Sequence, residues 1–431
     1  MAASFLIFAY RPQQETGTTP QTDRLFEQSL QEFANTIAVD DGKYFLLDDK
    51  CNLSCLDAET GNLSWQTNLG HWRAGGILVK NGTIYYGTGA GAVQAIDEDT
   101  GDFLRSYASM ASITGWGLKS PPAAFSVCDG HVFIEHNGCV AYDAATGEML
   151  WKSYPVTMLN PPEMPYTSKV WAFDNKLVLC EGSFPYGDSS IGIYRINPDK
   201  GTPIWGVEGS FYQEPLIYEN KVILPNYGTT GIPELSDKVI AVTVSSGVKI
   251  WSYDVGAPIY KPVMFGDKLL FVAEDGYCYA LNLSNGTLAW KTPLAKGVPS
   301  GAAISSVALD MEKQELFWAC GTTRENGSDS SFIYDCTLFR LNVTGGQNLT
   351  KTQWQSNTTG PFFTRNNPII GLALLNNSAY LSVQNDLWVF SRSTLMPLKM
   401  EHFDHLLAPI AAYNRVYVSA DLSACAYKDL S

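Results

Sequence analysis

Apolar residues along this chain come in short bursts separated by polar turns. Lys221–Pro225 (KVILP), Lys268–Ala273 (KLLFVA) and Thr83–Gly87 (TIYYG) are typical. Such runs are β-branched and aromatic, and too short for helices. Turn dipeptides such as Asn81-Gly82, Asp129-Gly130 and Asn175-Lys176 bound them, so they read as strands. A helical period is absent except at Leu25–Phe33, where the pattern predicts one short helix. The chain is expected to be all-β.

The strands recur in a fixed frame. Tyr142–Trp151 (YDAATGEMLW) ends one strand, turns at Thr146-Gly147 and opens another that carries Trp151. The frame returns at Gly61 and Trp65, Gly101 and Arg105, Gly201 and Trp205, Gly247 and Trp251, and Gly286 and Trp290. A looser copy ends at Trp354, and a decayed one has Met400 near the Trp slot. Successive slots from 65 to 354 lie 40, 46, 54, 46, 39 and 64 residues apart. That period is supersecondary, the size of one propeller blade. Three more strand signals precede each slot; in the third unit they are Ala123–Val127, His131–Glu135 and Cys139–Tyr142. Four-stranded antiparallel units repeated radially form a β-propeller.

Eight units run from Asn35 to Met400. Three strands of a ninth follow at Leu407–Ala412, Arg415–Ala420 and Cys425–Lys428. The missing outer strand is expected from the other terminus, where Ser4–Tyr10 is apolar. The same stretch also reads as a degenerate signal segment or as the start of a fragment. One domain is expected over 34–428, after an apolar segment and polar linker in 1–33.

The repeat D-x-x-[TS]-G-x-x-x-W resembles the pyrroloquinoline-quinone (PQQ)-like repeat of quinoprotein alcohol dehydrogenase-like propellers, over about residues 34–428. The resemblance implies eight blades, so the ninth unit, or the weak unit at Phe362–Met400, is expected outside the ring. It also implies two branches. Quinoprotein dehydrogenases hold PQQ and Ca2+ beside a vicinal cysteine pair, and this chain has no Cys-Cys. A second branch is non-enzymatic and includes a bacterial scaffold for β-barrel insertion. This chain looks more like the second branch, so PQQ with Ca2+ is the lesser alternative and no cofactor is expected.

Up-and-down strand order places the tight turns on one face and the longer connections on the other. The long ones are Tyr107–Pro122, Tyr154–Ser168, Gly182–Ile191, Asn226–Lys238 and Gly321–Tyr334. Insertions gathered on one face mark a binding face. Trp116, Tyr166, Phe184, Tyr186 and Tyr227 would decorate it, for a protein partner or, alternatively, a glycan. The slot Trp residues are expected to pack between blades instead, because a residue used once per repeat is usually core.

Charge narrows the partners. Net charge is −14, from 29 basic and 43 acidic residues, which disfavours nucleic acid. No apolar run is long enough to span a membrane. Ten N-x-[ST] sequons stand at Asn52, Asn62, Asn81, Asn282, Asn285, Asn326, Asn342, Asn348, Asn357 and Asn376. Composition alone would give roughly three or four, so a secretory or extracytoplasmic setting is expected. Turn-forming Asn is the competing source of sequons. The nine cysteines read either as buried thiols or as disulfides, with Cys128/Cys139 and Cys320/Cys336 flanking hairpins.

Metal and phosphate chemistry is weakly signalled. Glu401–His405 (EHFDH) offers four possible ligands in five residues, but a solvated crossing explains it as well. Asp40-Asp41 and Asp48-Asp49 sit at strand ends, where Asp forms turns. Gly87–Gly91 has no helix after it to hold a phosphate. No catalytic or metal residues are assigned.

Overall fold

The computed structural model describes residues 24–70, 76–88, 91–108, 124–135, 139–153, 169–173, 177–183, 191–208, 214–225, 237–294, 304–325, 332–358 and 369–430. These residues contain strands and no helix, arranged as nine four-stranded antiparallel sheets. Eight sheets are meanders of consecutive strands, here called A to D from the first to the last. Blade 1 spans Ala34–Asp40, Lys43–Asp48, Asn52–Asp57 and Leu63–Asn68. Blade 8 spans Ile369–Leu374, Ser378–Val383, Asp386–Ser391 and Pro397–His402.

The ninth sheet mixes the two ends of the chain. Ile410–Ala412, Arg415–Ala420 and Ser423–Lys428 are its strands A to C, and Arg24–Ser29 pairs antiparallel with the third as strand D. Blade 1 strand A packs on strands A and B of this sheet, which closes the ring. Two expectations change here. The count is nine blades rather than eight, because the N-terminal strand completes the terminal unit and the weak unit forms a full sheet. Residues at 24–29, expected in a helix, form that closing strand, so the sheet's first strand lies ahead of 34. Ser4–Tyr10 lies outside the described residues.

Burial follows from the ring. Strands B and C are covered on both faces by neighbouring blades, so Lys43–Asp48 and Asn52–Asp57 are almost continuously buried. Strand D covers one face only, and Leu63–Asn68 alternates between half-buried and exposed. Each C–D pairing carries a register shift at one matching position, for example between Cys55 and Leu56 and between Ala141 and Tyr142. That extra residue on strand D sets which side chain points into the next blade.

Candidate binding faces

The tight-turn face is built from one motif. In blade 3, Asp143 Oδ1 accepts from the Ala145 and Thr146 amides at 2.9 and 2.6 Å, and from Thr146 Oγ1 at 2.9 Å. Thr146 Oγ1 in turn accepts from the Glu148 amide. Asp57 and Asp97 repeat this with Thr60 and Thr100. The amide of Thr146 and its hydroxyl hold the Asp143 carboxyl below the usual carboxylate range, and Asp57 and Asp97 are lowered for the same cause. The turns therefore keep this support above the ordinary Asp range and lose it as pH falls through the lowered values.

The slot residue of each blade reaches the turn of the next. The Trp151 ring lies on Gly201, Trp205 on Gly247, Trp251 on Gly286, Trp290 on Gly346 and Trp65 on Gly101; a Cβ on any of these glycines would land under 3.0 Å from the ring. Gly201 also has φ of 68°, so both its backbone and its neighbour exclude a side chain. The indole N–H then donates to the carbonyl one residue after the turn's first position. Trp65 reaches Glu98 O at 3.2 Å, Trp205 reaches Val244 O at 2.9 Å and Trp290 reaches Val343 O at 2.9 Å. Trp151 and Trp251 do the same to Pro198 and Leu283.

Where the Trp is missing, other side chains reach the same carbonyl. Blade 2 has Arg105 in the slot, only in ordinary contact with Gly147, and Tyr107 OH donates to Ala144 O at 2.8 Å. At the closure, Phe26 fills the slot against Gly61, while Tyr417 OH donates to Ala58 O at 2.9 Å. Phe26 lies 39 residues before Trp65, within the repeat spacing, and Leu25-Phe26 matches Leu150-Trp151 of blade 3. That signal was legible, although no Thr-Gly turn precedes it. Arg105→Trp is expected to seat on Gly147 and raise the melting temperature, or at least leave it unchanged. A clear fall would show that this slot does not accept the ring.

Two slots differ from the sequence reading. Trp354 pairs with Cys336, whereas the residue in register is Thr350, opposite Arg340. Trp354 lies four residues further along the same strand face and packs on Trp388 and Phe390 of blade 8. Met400 is likewise one residue off, because Lys399 pairs with Val389 at the matching place. Leu395 replaces the turn glycine there, is fully buried and keeps a φ of 56°.

On the opposite face, Trp116, Tyr166, Phe184, Tyr186 and Tyr227 lie outside the described residues. What is described there is the frame. Blade 7 strands B, C and D (Glu315–Glu325, Phe332–Asn342, Asn348–Thr358) are 11 residues each, against 5 to 7 for strands B, C and D of blades 1 to 6 and 8. They project the backbone of blade 7 beyond its neighbours. Two polar clusters border this face. In blade 6, Lys291 Nζ contacts Asp275 at 3.0 Å and lies 4.0 Å from the Tyr277 ring centroid. Burial pushes the neighbouring Tyr279 hydroxyl up to about 12. Between blades 7 and 8, the buried Asp386 carboxylate accepts from Ser356 Oγ and pairs with His402 Nδ1 at 2.7 Å. Ser356 and His402 thus meet the carboxylate, not each other, so no serine–imidazole nucleophile forms.

The remaining candidates resolve simply. His402 turns to Asp386, Glu401 to Arg24 and Tyr427, and His405 Nε2 to Ala34 O, so the Glu401–His405 ligands diverge. Asp48 accepts from the Lys50 and Asn52 amides as a turn residue. Among the described residues no three His, Cys, Asp or Glu side chains are placed to share an ion. The eight described cysteines are buried. Cys320 pairs with Thr337, which puts Cys336 on the opposite sheet face and precludes a bridge in this register. Cys128 and Cys139 sit at opposite ends of their hairpin. No helix among the described residues is long and apolar enough to cross a membrane.

Comparison with known proteins points one way on fold. A family model described as "Outer membrane protein assembly factor BamB" matches residues 13–160, 135–306 and 190–366. BamB from Moraxella catarrhalis superposes with a TM-score of 0.52 at 14% identity, covering 94% of this chain and 99% of that one. A quinohemoprotein alcohol dehydrogenase from Pseudomonas putida HK5 gives 0.52 at 13% identity, covering 93% and 73%. Among curated proteins, tetrathionate hydrolase of Acidithiobacillus ferrooxidans is 24% identical over 233 residues, 47% of this chain. That match spans only 43% of the hydrolase.

Proposed function

We propose, from the premise that this chain belongs to the outer membrane protein assembly factor BamB family, that it is a non-catalytic propeller that binds protein in an extracytoplasmic or secretory compartment. The observation that carries the reading is the division of labour between the faces. On the tight-turn face, the repeated side chains are consumed by blade-to-blade packing. The opposite face receives the projecting strands of blade 7, and strand order in the sequence assigns the long connections to it. A rigid ring that presents variable connections on one side suits recognition of a protein surface. The test is to add PQQ and Ca2+ to the purified chain. No bound-quinone absorbance and no dye-linked alcohol oxidation are expected; a stoichiometric signal of both would replace the scaffold reading with an oxidoreductase.

The compartment has its own test. Asn62, Asn81, Asn285 and Asn348 are exposed and lie on the tight-turn side. Asn282 and Asn342 stand in the Asp position of their turns and bond within them, and Asn52 Nδ2 is held by Asp48. Asn62 and Asn348 each precede an exposed leucine, Leu63 and Leu349, whose apolar surface a glycan would screen. Asn326 and the side chain of Asn357 lie outside the described residues, and Asn376 lines a cleft described below. Peptide mapping after enzymatic deglycosylation of chain from a secretory host is expected to show modification at the four exposed sites and not at Asn52, Asn282 or Asn342. Modification at those three alone would contradict it.

A further inference from the structure

On the tight-turn face, the wedge series lapses around blade 8. Its two flanking slots hold Thr350 and Lys399 instead of an aromatic ring. A cleft of about 340 Å³ opens there, lined by Lys313, Glu315, Arg340, Asn376, Asn377, Ser391, Arg392, Ser393, Leu398 and Leu430. Three different blades contribute to it, so it is a junction and not a fold within one sheet.

Its chemistry is cationic although the chain as a whole is acidic. Arg340 and Arg392 pair with Glu315 and Asp310 respectively, which leaves Lys313 as the uncompensated charge. Lys313 Nζ donates to Asn376 O at 3.1 Å, and no described carboxylate lies within 4.0 Å of it. Arg392 is buried, with a side chain only 6% exposed, and Arg340 Nη1 donates to Ser393 O at 2.7 Å. The Nε atoms of both arginines are buried and have no hydrogen-bond acceptor. Buried donors without acceptors are costly, and a bound anion or water would relieve that cost. Glu315 works against an anion: Arg340 pairs with one carboxylate oxygen, while Oε2 is buried without a hydrogen-bond donor, so a ligand must bind on the Lys313 side of the cleft.

We infer that this cleft is a binding site for a small oxyanion, a phosphoryl or carboxylate group carried on a compact molecule whose apolar part meets Leu398 and Leu430. The volume is at the lower end for small-molecule pockets and suits a ligand of few heavy atoms. Lys313 supplies the attracting charge at the mouth, and the serine and asparagine side chains supply adjustable polar contacts.

The full-length chain is titrated calorimetrically with inorganic phosphate, and separately with propionate, to distinguish the two groups. Saturable binding of at least one is expected below roughly 10 mM, tenfold above a millimolar Kd. Lys313→Glu reverses the mouth charge, and Ser393→Glu places a carboxylate in the cleft while keeping the backbone acceptor of Arg340. Each is expected to weaken binding about tenfold or more, with melting temperature in anion-free buffer unchanged. Either variant suffices if the other fails to fold. Absence of saturable binding by both anions, or binding that neither folded variant alters, overturns the site.

Discussion

Trp151→Ala is expected to destabilise the ring by about 3–5 kcal/mol, the range for deleting a buried aromatic side chain. Several contributions are lost together. The ring lies against Gly201, its N–H satisfies Pro198 O, and it packs in the cluster with Phe133, Ala141 and Val178. A Gly201→Ala exchange attacks the same contact from the other side, through positive φ and a Cβ with no room. Chemical denaturation measures both. Unchanged midpoints would mean that the indole does not connect blades 3 and 4.

Removing residues 1–30 is expected to cost on the order of 5 kcal/mol or more, beyond the usual range for single substitutions. The deletion strips strand D from blade 9, exposes the edge of Ser423–Lys428 and takes Phe26 from Gly61. It also removes Arg24, which pairs with Glu401 at 3.0 Å and lies over the Tyr427 ring. Phe26→Trp should restore the general slot and hold or raise the midpoint. The seam is also acid-sensitive. Burial raises the Glu401 carboxyl, but Lys399, Tyr427 and Arg24 outweigh it and leave the pKa lowered. Such a group stabilises the fold above its unfolded pKa and loses that contribution as pH falls through the folded value. The intact chain is therefore expected to lose stability on acidification below the ordinary Glu range, and Glu401→Gln to lose less. An unchanged midpoint for the truncated chain would place closure elsewhere.

The fold was legible because one turn motif repeats, and glycine with Trp four residues later is dictated by contact across blades. Register was less legible. Trp354 and Met400 fall near the slot by spacing, but only strand pairing shows Thr350 and Lys399 in it. A residue four places along a strand shares the face, so periodicity alone does not separate them. The closing strand reads as helix because the apolar spacing of Leu25–Phe33 fits a helical period and no Thr-Gly turn precedes it; pairing to a strand some 400 residues away in sequence overrides the local pattern. Tyr107, two residues past the Arg105 slot, and Tyr417, on a strand without the motif, reach turn carbonyls from positions that the repeat does not mark. The oxyanion cleft was invisible for the same reason, because its charges come from two blades and its lining from three. The aromatic residues of the long connections stay an expectation of the sequence.

The central claim is that the two faces differ in purpose, and site-directed photocrosslinking tests it most directly. A photoreactive residue is placed singly at Phe184, Tyr227, Asn62 and Asn285 in the native source, and crosslinked partners are identified by mass spectrometry. One protein partner is expected from Phe184 and Tyr227, and none in common from Asn62 and Asn285. Crosslinks to a shared partner from Asn62 and Asn285, with none from the other two, would contradict the account.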